Sequence, residues 1–315
     1  MSVRNIYALG ETVYDLIFEN GVISSGVPGG ATLNSSVSLG RLHQNIFFVG
    51  EYGYDLLGGA VDSFLQQNGV NTRFVYRHTD GATSVAIAFL DEKRNASYNF
   101  YKKPPLLRMQ GEKPSFSEGD IVLFGSFFSI APELRSFVVP FVRGARDAGA
   151  IVVYDPNFRL AHKGELESIR PLLLENFSMA DIVRGSDEDF FHIFGARSAD
   201  EAAKNLAPYC RTMLYTASSE GIEVRTPSFS GRFSAKQIIP VSTVGAGDTF
   251  NAGLIYALLQ LDLYRPQVGA LLLDQWETIV AVATEMASAV CMSYENSIPS
   301  GFQLSLKISA ASGPV

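Results

Sequence analysis

Ile121-Val122-Leu123-Phe124, a helical stretch from Pro132 to Ala148, and then Ile151-Val152-Val153-Tyr154 decide the fold. Both short runs are apolar at every position, the pattern of strands covered on two faces rather than one. Pro132 suits the start of the helix between them, because a first-turn residue needs no N–H donor. Strand, helix, strand in this form is a parallel crossover unit. The unit recurs on both sides. Ile6-Tyr7-Ala8-Leu9 opens the chain, a helical stretch around Glu165–Glu175 leads to Asp181-Ile182-Val183, and a helix from Ala199 to Ala207 leads to Thr212-Met213-Leu214-Tyr215-Thr216. The reading is an α/β fold with a mostly parallel central sheet between two helical layers. In such sheets ligands bind beyond the carboxyl ends of the strands. Asp15, Asp155, Thr216 and Gly245 each fall just after a strand, so four distant stretches converge on one rim.

Two segments depart from that alternation. Val13 to Ile23 reads as a hairpin around Asn20-Gly21, a strong turn signal. Thr83 to Tyr101 gives a second pair, with Ser84 to Leu90 and Ser97 to Tyr101 joined by a polar turn at Asp91–Asn95. This pair alternates apolar and polar residues, as a sheet with one wet face does. The hairpins, about residues 12–28 and 83–103, are expected to form a small β-sheet lid inserted in a single domain spanning residues 1–315.

Composition narrows the function. The chain has 47% hydrophobic and 18% charged residues over 315 positions, enough for a large core. Its formal charge is −7 with no strongly basic run, which argues against a nucleic-acid partner. No apolar run reaches membrane-spanning length, and the N-terminus passes straight into a strand pattern without a signal peptide's apolar stretch. Cys210 and Cys291 lie far apart and make no metal-ligand spacing, so two reduced thiols in a cytoplasmic protein are expected.

Residues 242–251, Ser-Thr-Val-Gly-Ala-Gly-Asp-Thr-Phe-Asn, carry the chemistry. Gly245-Ala246-Gly247 forms a small-residue turn, and Phe250, Leu254, Ala257, Leu258 and Leu261 follow with helical spacing. A glycine turn opening a helix presents unpaired backbone N–H groups at the positive end of the helix dipole, an anion hole built from main chain. Asp248 is anomalous there, since a carboxylate repels a phosphate. It is in place as a base that takes a proton from a hydroxyl while a phosphoryl group is held beside it. A helix start with an acidic first-turn residue is the plainer alternative.

Gly-Ala-Gly-Asp after Thr243 resembles the C-terminal signature of the ribokinase (PfkB-type) family of small-molecule kinases. Further resemblances precede it in order: Ala8-Leu9-Gly10 with Asp15, Gly29-Gly30-Ala31-Thr32-Leu33-Asn34, the glycine-spaced Val49 to Gly58, Asn68-Gly69-Val70, and Tyr154-Asp155-Pro156-Asn157-Phe158-Arg159. The last block is similar to the fructokinase and 2-keto-3-deoxygluconate kinase branches. The resemblance implies a ribokinase-like three-layer sandwich. It implies ATP and a sugar as substrates, Asp248 as general base, and Gly245, Ala246 and Gly247 as the anion hole. For the sugar it implies Asp15 and Asn34, with Gly29 and Gly30 giving close backbone approach; by position, Tyr101 at the end of the second hairpin offers a ring to cover a sugar, and Arg159 near the rim a cation for phosphate or an acidic sugar. For the nucleotide it implies Ser186, Thr216, Ser218, Thr243 and Ser288, besides Gly245 and Gly247. Asp189, with Ser186, stands at the family's phosphate and Mg²⁺ motif, where it would hold Mg²⁺ through water.

Four departures shape the expectations. Ser242 replaces the usual Asp of a monovalent-cation site, so potassium activation is not expected. Ala217-Ser218-Ser219 replaces a glycine facing the nucleotide, Asp189 is one methylene shorter than the usual Glu, and Ser288 stands where the family often has Asn. His43, His78, His162 and His192 fit none of the motifs. Fructose is the first substrate implied. 2-Keto-3-deoxygluconate is the same-class alternative, favoured if Arg159 or Lys102 meets a carboxylate. A sugar-binding sensor that no longer transfers phosphate is the different-class alternative, supported by the altered nucleotide strand and opposed by the intact Gly245–Asp248. The lid strands offer edges for pairing two copies as a homodimer.

Overall fold

The computed structural model describes residues 3–90, 96–158, 164–306 and 308. Arg159, His162 and the polar turn expected at 91–95 lie outside the described residues.

The first strand, β1 (Ile6–Leu9), is followed by the hairpin β2 (Val13–Glu19) and β3 (Val22–Gly29), then α1 (Ala31–Arg41), β4 (Ile46–Gly53), α2 (Leu56–Gln67) and β5 (Val75–His78). A second hairpin follows, β6 (Ala82–Leu90) and β7 (Ala96–Lys103). The alternating half contains β8 (Ile121–Gly125), α3 (Arg135–Asp147), β9 (Ile151–Asp155), α4 (Leu166–Met179), β10 (Ile182–Ser186), α5 (Asp187–Phe194), α6 (Ala199–Leu206) and β11 (Met213–Thr216). Two short strands, β12 (Ile222–Arg225) and β13 (Ser230–Phe233), precede α7 (Ala246–Gln260) and α8 (Leu273–Cys291).

Nine strands form the central sheet in the order β13-β12-β11-β10-β9-β8-β1-β4-β5. All neighbours pair in parallel except β11 with β12 and β12 with β13. The apolar runs are buried on both faces because each strand feeds two cores in turn. Ile6, Ala8, Ile121, Leu123, Ile151 and Val153 join the core containing Trp276 and the α1, α7 and α8 side chains. Tyr7, Leu9, Val122, Phe124, Val152 and Tyr154 join the opposite core, with Phe137, Phe141, Phe177 and Phe190 from α3, α4 and α5. This is the period-two signature of a strand between two helical layers, and the three-layer α/β arrangement expected from sequence is the one observed.

Chain order reverses at β1. From it the chain moves to β4 and β5 on one side, and β8 starts the run on the other. That reversal is the topological switch point where open α/β sheets bind ligands. The two hairpins form a separate four-stranded sheet, order β3-β2-β6-β7, in which β2 and β6 pair in parallel. Its first hairpin leaves the main sheet after β1 and leads back through α1, beside the switch point, and its second lies between β5 and β8.

Helix ends differ from the expected ones. The stretch from Pro132 splits into a 3-10 turn, Pro132–Leu134, and α3. The helix expected around Glu165–Glu175 runs on to Met179, because Leu173, Phe177 and Met179 continue its buried stripe. β12 and β13 were not legible: each has four residues, and β13 alternates exposed and half-buried positions around Gly231. Among the described residues, no helix is long and apolar enough to cross a membrane.

Candidate active site

The turn before α7 is built as its glycines suggest. Gly245 caps the helix in the left-handed region, at φ 80° and ψ −3°, and a Cβ there would run into the Asn296 carbonyl. Glycine is the residue that takes this conformation at little cost. Thr243 and Val244 are exposed and Gly245 to Gly247 half-buried, so the turn faces solvent while Asp248, one residue on, is 8% exposed.

Asp248 is fixed by α1. Asn34 Nδ2 donates to Asp248 Oδ2 at 2.8 Å, and Ser35 Oγ donates to the Asp248 carbonyl at 2.7 Å. One turn further, Ser38 Oγ stands 3.4 Å from Thr249 Oγ1 and accepts from Ile298 N. Thr32 to Gly40 are all buried, and this serine-rich helix spends the side chains of Asn34, Ser35, Ser36 and Ser38 on α7 and on its own carbonyls. Asn34, expected to grip sugar, is thus brought onto the expected base. Ser35 and Ser38 were not singled out from sequence, although buried polar residues on a helix face imply buried partners.

Asp15 sits on β2, between Val27 of β3 and Ala86 of β6. Its carboxylate lies against Gly29, where any Cβ would meet Oδ2. Burial raises its pKa from 3.8 to about 6. Gly30 caps α1 at φ 135°, with its Cβ direction filled by the Glu11 carbonyl. The Gly29-Gly30 pair is therefore required by close packing around Asp15 and Glu11 at the start of α1.

The rim beyond β9, β10 and β11 holds a buried polar network. Asp155 Oδ2 accepts from Arg184 Nη1 at 2.9 Å and from Asn251 Nδ2 at 2.6 Å, while Oδ1 accepts from Asn157 N. Arg184 Nη2 donates to Thr216 Oγ1 at 2.7 Å, and that hydroxyl donates to the Gly185 carbonyl. The Thr216 hydroxyl is engaged on both sides. Arg184 belongs to no motif noted in the sequence, and Asn251 closes the 242–251 stretch without a role read for it. The available signal for Arg184 was its own strand, in which a charged residue interrupts a buried apolar run and so demands a partner.

Asp189 is turned inward. Oδ1 accepts from Phe158 N, and Oδ2 accepts from both the backbone N and the Oγ of Ser186, completing a capping box on α5. Burial, reinforced by the charge of Asp155, pushes its pKa up. Both oxygens are committed to the chain, an arrangement that does not suit a direct metal ligand. Among the described residues, no three His, Cys, Asp or Glu side chains cluster to hold a metal ion.

The remaining candidates are more dispersed. Tyr101 lies on β7 and is 59% exposed. Its neighbour Lys102 reaches Phe127, beside β8, with Nζ 5.9 Å from the ring centroid. Ser218 is exposed, at φ 44°, at the start of a 3-10 turn after β11. Ser242 accepts from Val244 N at 3.2 Å, and Ser288 is buried near the end of α8.

The sequence profile of the pfkB family carbohydrate kinases matches residues 4–300. The fructokinase of Vibrio alginolyticus is 27% identical over 259 residues, 81% of this chain and 84% of that protein. The probable fructokinase-4 of Arabidopsis thaliana is 30% identical over 234 residues, 72% of each protein. The fructokinase of Vibrio cholerae, solved with fructose, ADP and calcium ion, shares the fold at a TM-score of 0.79, with 24% identity over 93% of this chain and 94% of that one. A glycine turn with an aspartate one residue on, set at the carboxyl rim of a parallel sheet beside a smaller β-sheet, accompanies a sequence match over nearly the whole length: the chain belongs to the pfkB family of carbohydrate kinases.

Proposed function

We propose that this kinase transfers the γ-phosphoryl group of ATP to a hydroxyl of fructose, giving fructose phosphate and ADP. One observation carries the reading: Asp248 stands in the first turn of α7, held by Asn34, directly after the solvent-facing Gly245–Gly247 turn. The sugar hydroxyl gives its proton to the Asp248 carboxylate, its oxygen bonds to the γ-phosphorus, and the bond from that phosphorus to the β-bridging oxygen breaks as ADP leaves. The amides at the start of α7, of which Ala246 N already donates to the Thr243 carbonyl at 3.3 Å, stabilise charge on the moving group. Asn34, by holding Oδ2, sets the rotation of the carboxylate. Asp15 accepts hydrogen bonds from sugar hydroxyls, and its burial makes an unmatched sugar costly.

MgATP is the donor in this reading, the ion arriving on the phosphates it neutralises. Asp189 is not given a step, since both of its oxygens already accept hydrogen bonds from the chain. The names of the relatives support fructose. Lys102 over Phe127 favours a second reading, in which a sugar acid such as 2-keto-3-deoxygluconate presents its carboxylate to that amine.

The test is ADP release from the purified protein with fructose, 2-keto-3-deoxygluconate and ribose in turn. The expected result is the highest kcat/KM for fructose. Greater kcat/KM for the sugar acid would move the assignment to Lys102. Sugar binding without any ADP release would make the protein a sensor.

A further inference from the structure

Arg184 is the one charged residue of β10, and its side chain is 11% exposed. Besides its bonds to Asp155 and Thr216, its Cζ lies 5.7 Å from the centroid of the Phe250 ring on α7. Nε is buried and has no hydrogen-bond partner among the described residues. The guanidinium is pressed against the glycine turn. A Cβ built on Gly247 would stand 2.7 Å from Nη1, 3.2 Å from Nη2 and 3.3 Å from Cζ, and these are its three nearest atoms.

Gly247 needs no special backbone. It lies within α7 and is not among the glycines with positive φ. A glycine inside a helix normally gives way to alanine with a gain in stability. What a side chain at 247 would meet is therefore the guanidinium of Arg184, which Asp155 and Thr216 hold in place.

We propose that Arg184 is a positioning residue for phosphoryl transfer, the support on which the Gly245–Gly247 turn and Asp248 rest. The inference rests on the reading of that turn as the transfer site. Asp155 and Thr216 hold the planar fork in one orientation, and Gly247 packs on it without a side chain between. The fork fixes where the amides of the turn and the carboxylate of Asp248 stand. Lysine keeps the charge but cannot reach two acceptors in one plane. A displacement of about 1 Å at a reacting group costs on the order of a hundredfold in rate.

The experiment is a kinetic cycle on the full-length protein, with fructose and ATP saturating and thermal melting recorded for each variant. Arg184→Lys should fold and lose about 10–100-fold in kcat, with the fructose KM within about twofold of the parent. Gly247→Ala should lose about tenfold or more in the parent, yet less than about threefold on top of Arg184→Lys, because the two Nη atoms nearest to it have gone. Arg184→Met with Asp155→Asn removes both charges of the buried pair together. It should show the same loss of kcat and covers the case in which Arg184→Lys melts early. Parental kcat in both Arg184→Lys and this double variant would overturn the proposal. So would losses from Gly247→Ala that are equal in the two backgrounds. Asp248→Asn is run alongside: parental turnover there would sink the transfer-site reading itself, whereas an inactive Asp248→Asn with a fully active Arg184→Lys would sink only the role of Arg184.

Discussion

The raised pKa of Asp15 makes sugar binding depend on pH in a calculable way. Burial lifts this carboxyl from 3.8 to about 6, so its charged form is disfavoured in the folded protein without sugar. If fructose binds only the carboxylate, its apparent Kd scales as one plus the ratio of protonated to charged Asp15. With a pKa of about 6 that factor is about 11 at pH 5 and about 1.1 at pH 7, so binding weakens about tenfold over the interval. The sign for folding runs the other way. A raised carboxyl pKa gives stability that is fully present below 3.8 and is lost as pH rises through about 6. The loss is at most about 3 kcal/mol. Asp15→Asn should therefore melt higher than the parent at pH 7 while binding fructose more weakly and with a flat pH profile. The assay is calorimetric titration of fructose between pH 5 and 8 in the Asp248→Asn background, where turnover does not intrude. A Kd in that background that stays constant from pH 7 to pH 5 would refute the reasoning.

Three further outcomes follow from the same geometry. Asn34→Ala removes a hydrogen bond to a charged group, of about 1.5–3 kcal/mol; kcat should fall about 10–100-fold, and a change confined to KM would show that Asn34 serves the sugar alone. Gly245→Ala forces a left-handed backbone and drives a Cβ into the Asn296 carbonyl, costing at least about 2 kcal/mol; an unchanged melting temperature would contradict it. Replacing a large organic cation by potassium at fixed ionic strength should change activity little, because Ser242 offers a neutral hydroxyl that already accepts from Val244 N; a several-fold rise would mean that backbone carbonyls suffice for a cation site.

What the sequence disclosed, and what it withheld, follows physical lines. Ile121–Phe124 and Ile151–Tyr154 were legible because a strand fed by two cores is apolar at every position. The Gly245–Asp248 turn was legible because positive φ and a helix start leave local marks. The partners of buried polar groups were not. Asn34 meets Asp248 across 214 residues, and Asn251 meets Asp155 across 96. No local pattern encodes such a pairing, so the sequence shows neither the hold of Asn34 on Asp248 nor the bond that Asn251, at the end of the 242–251 stretch, makes to Asp155. At Ser186 to Asp189 the local signal itself had two meanings, and both sides of the capping box are formed. Arg184 was visible as an oddity in its strand, but only the packing of Gly247 against it shows what it faces.

The most direct measurement of the central claim is fructose-dependent ADP formation by the parent and by Asp248→Asn, with the phosphorylated product counted by phosphorus NMR. The parent should form one fructose phosphate per ADP. Asp248→Asn keeps the shape of the side chain but cannot take the proton, and should be slower by about 10²–10⁴-fold in kcat. A parent that releases no ADP with fructose, or an Asp248→Asn variant that turns over at the parental rate, would contradict the account.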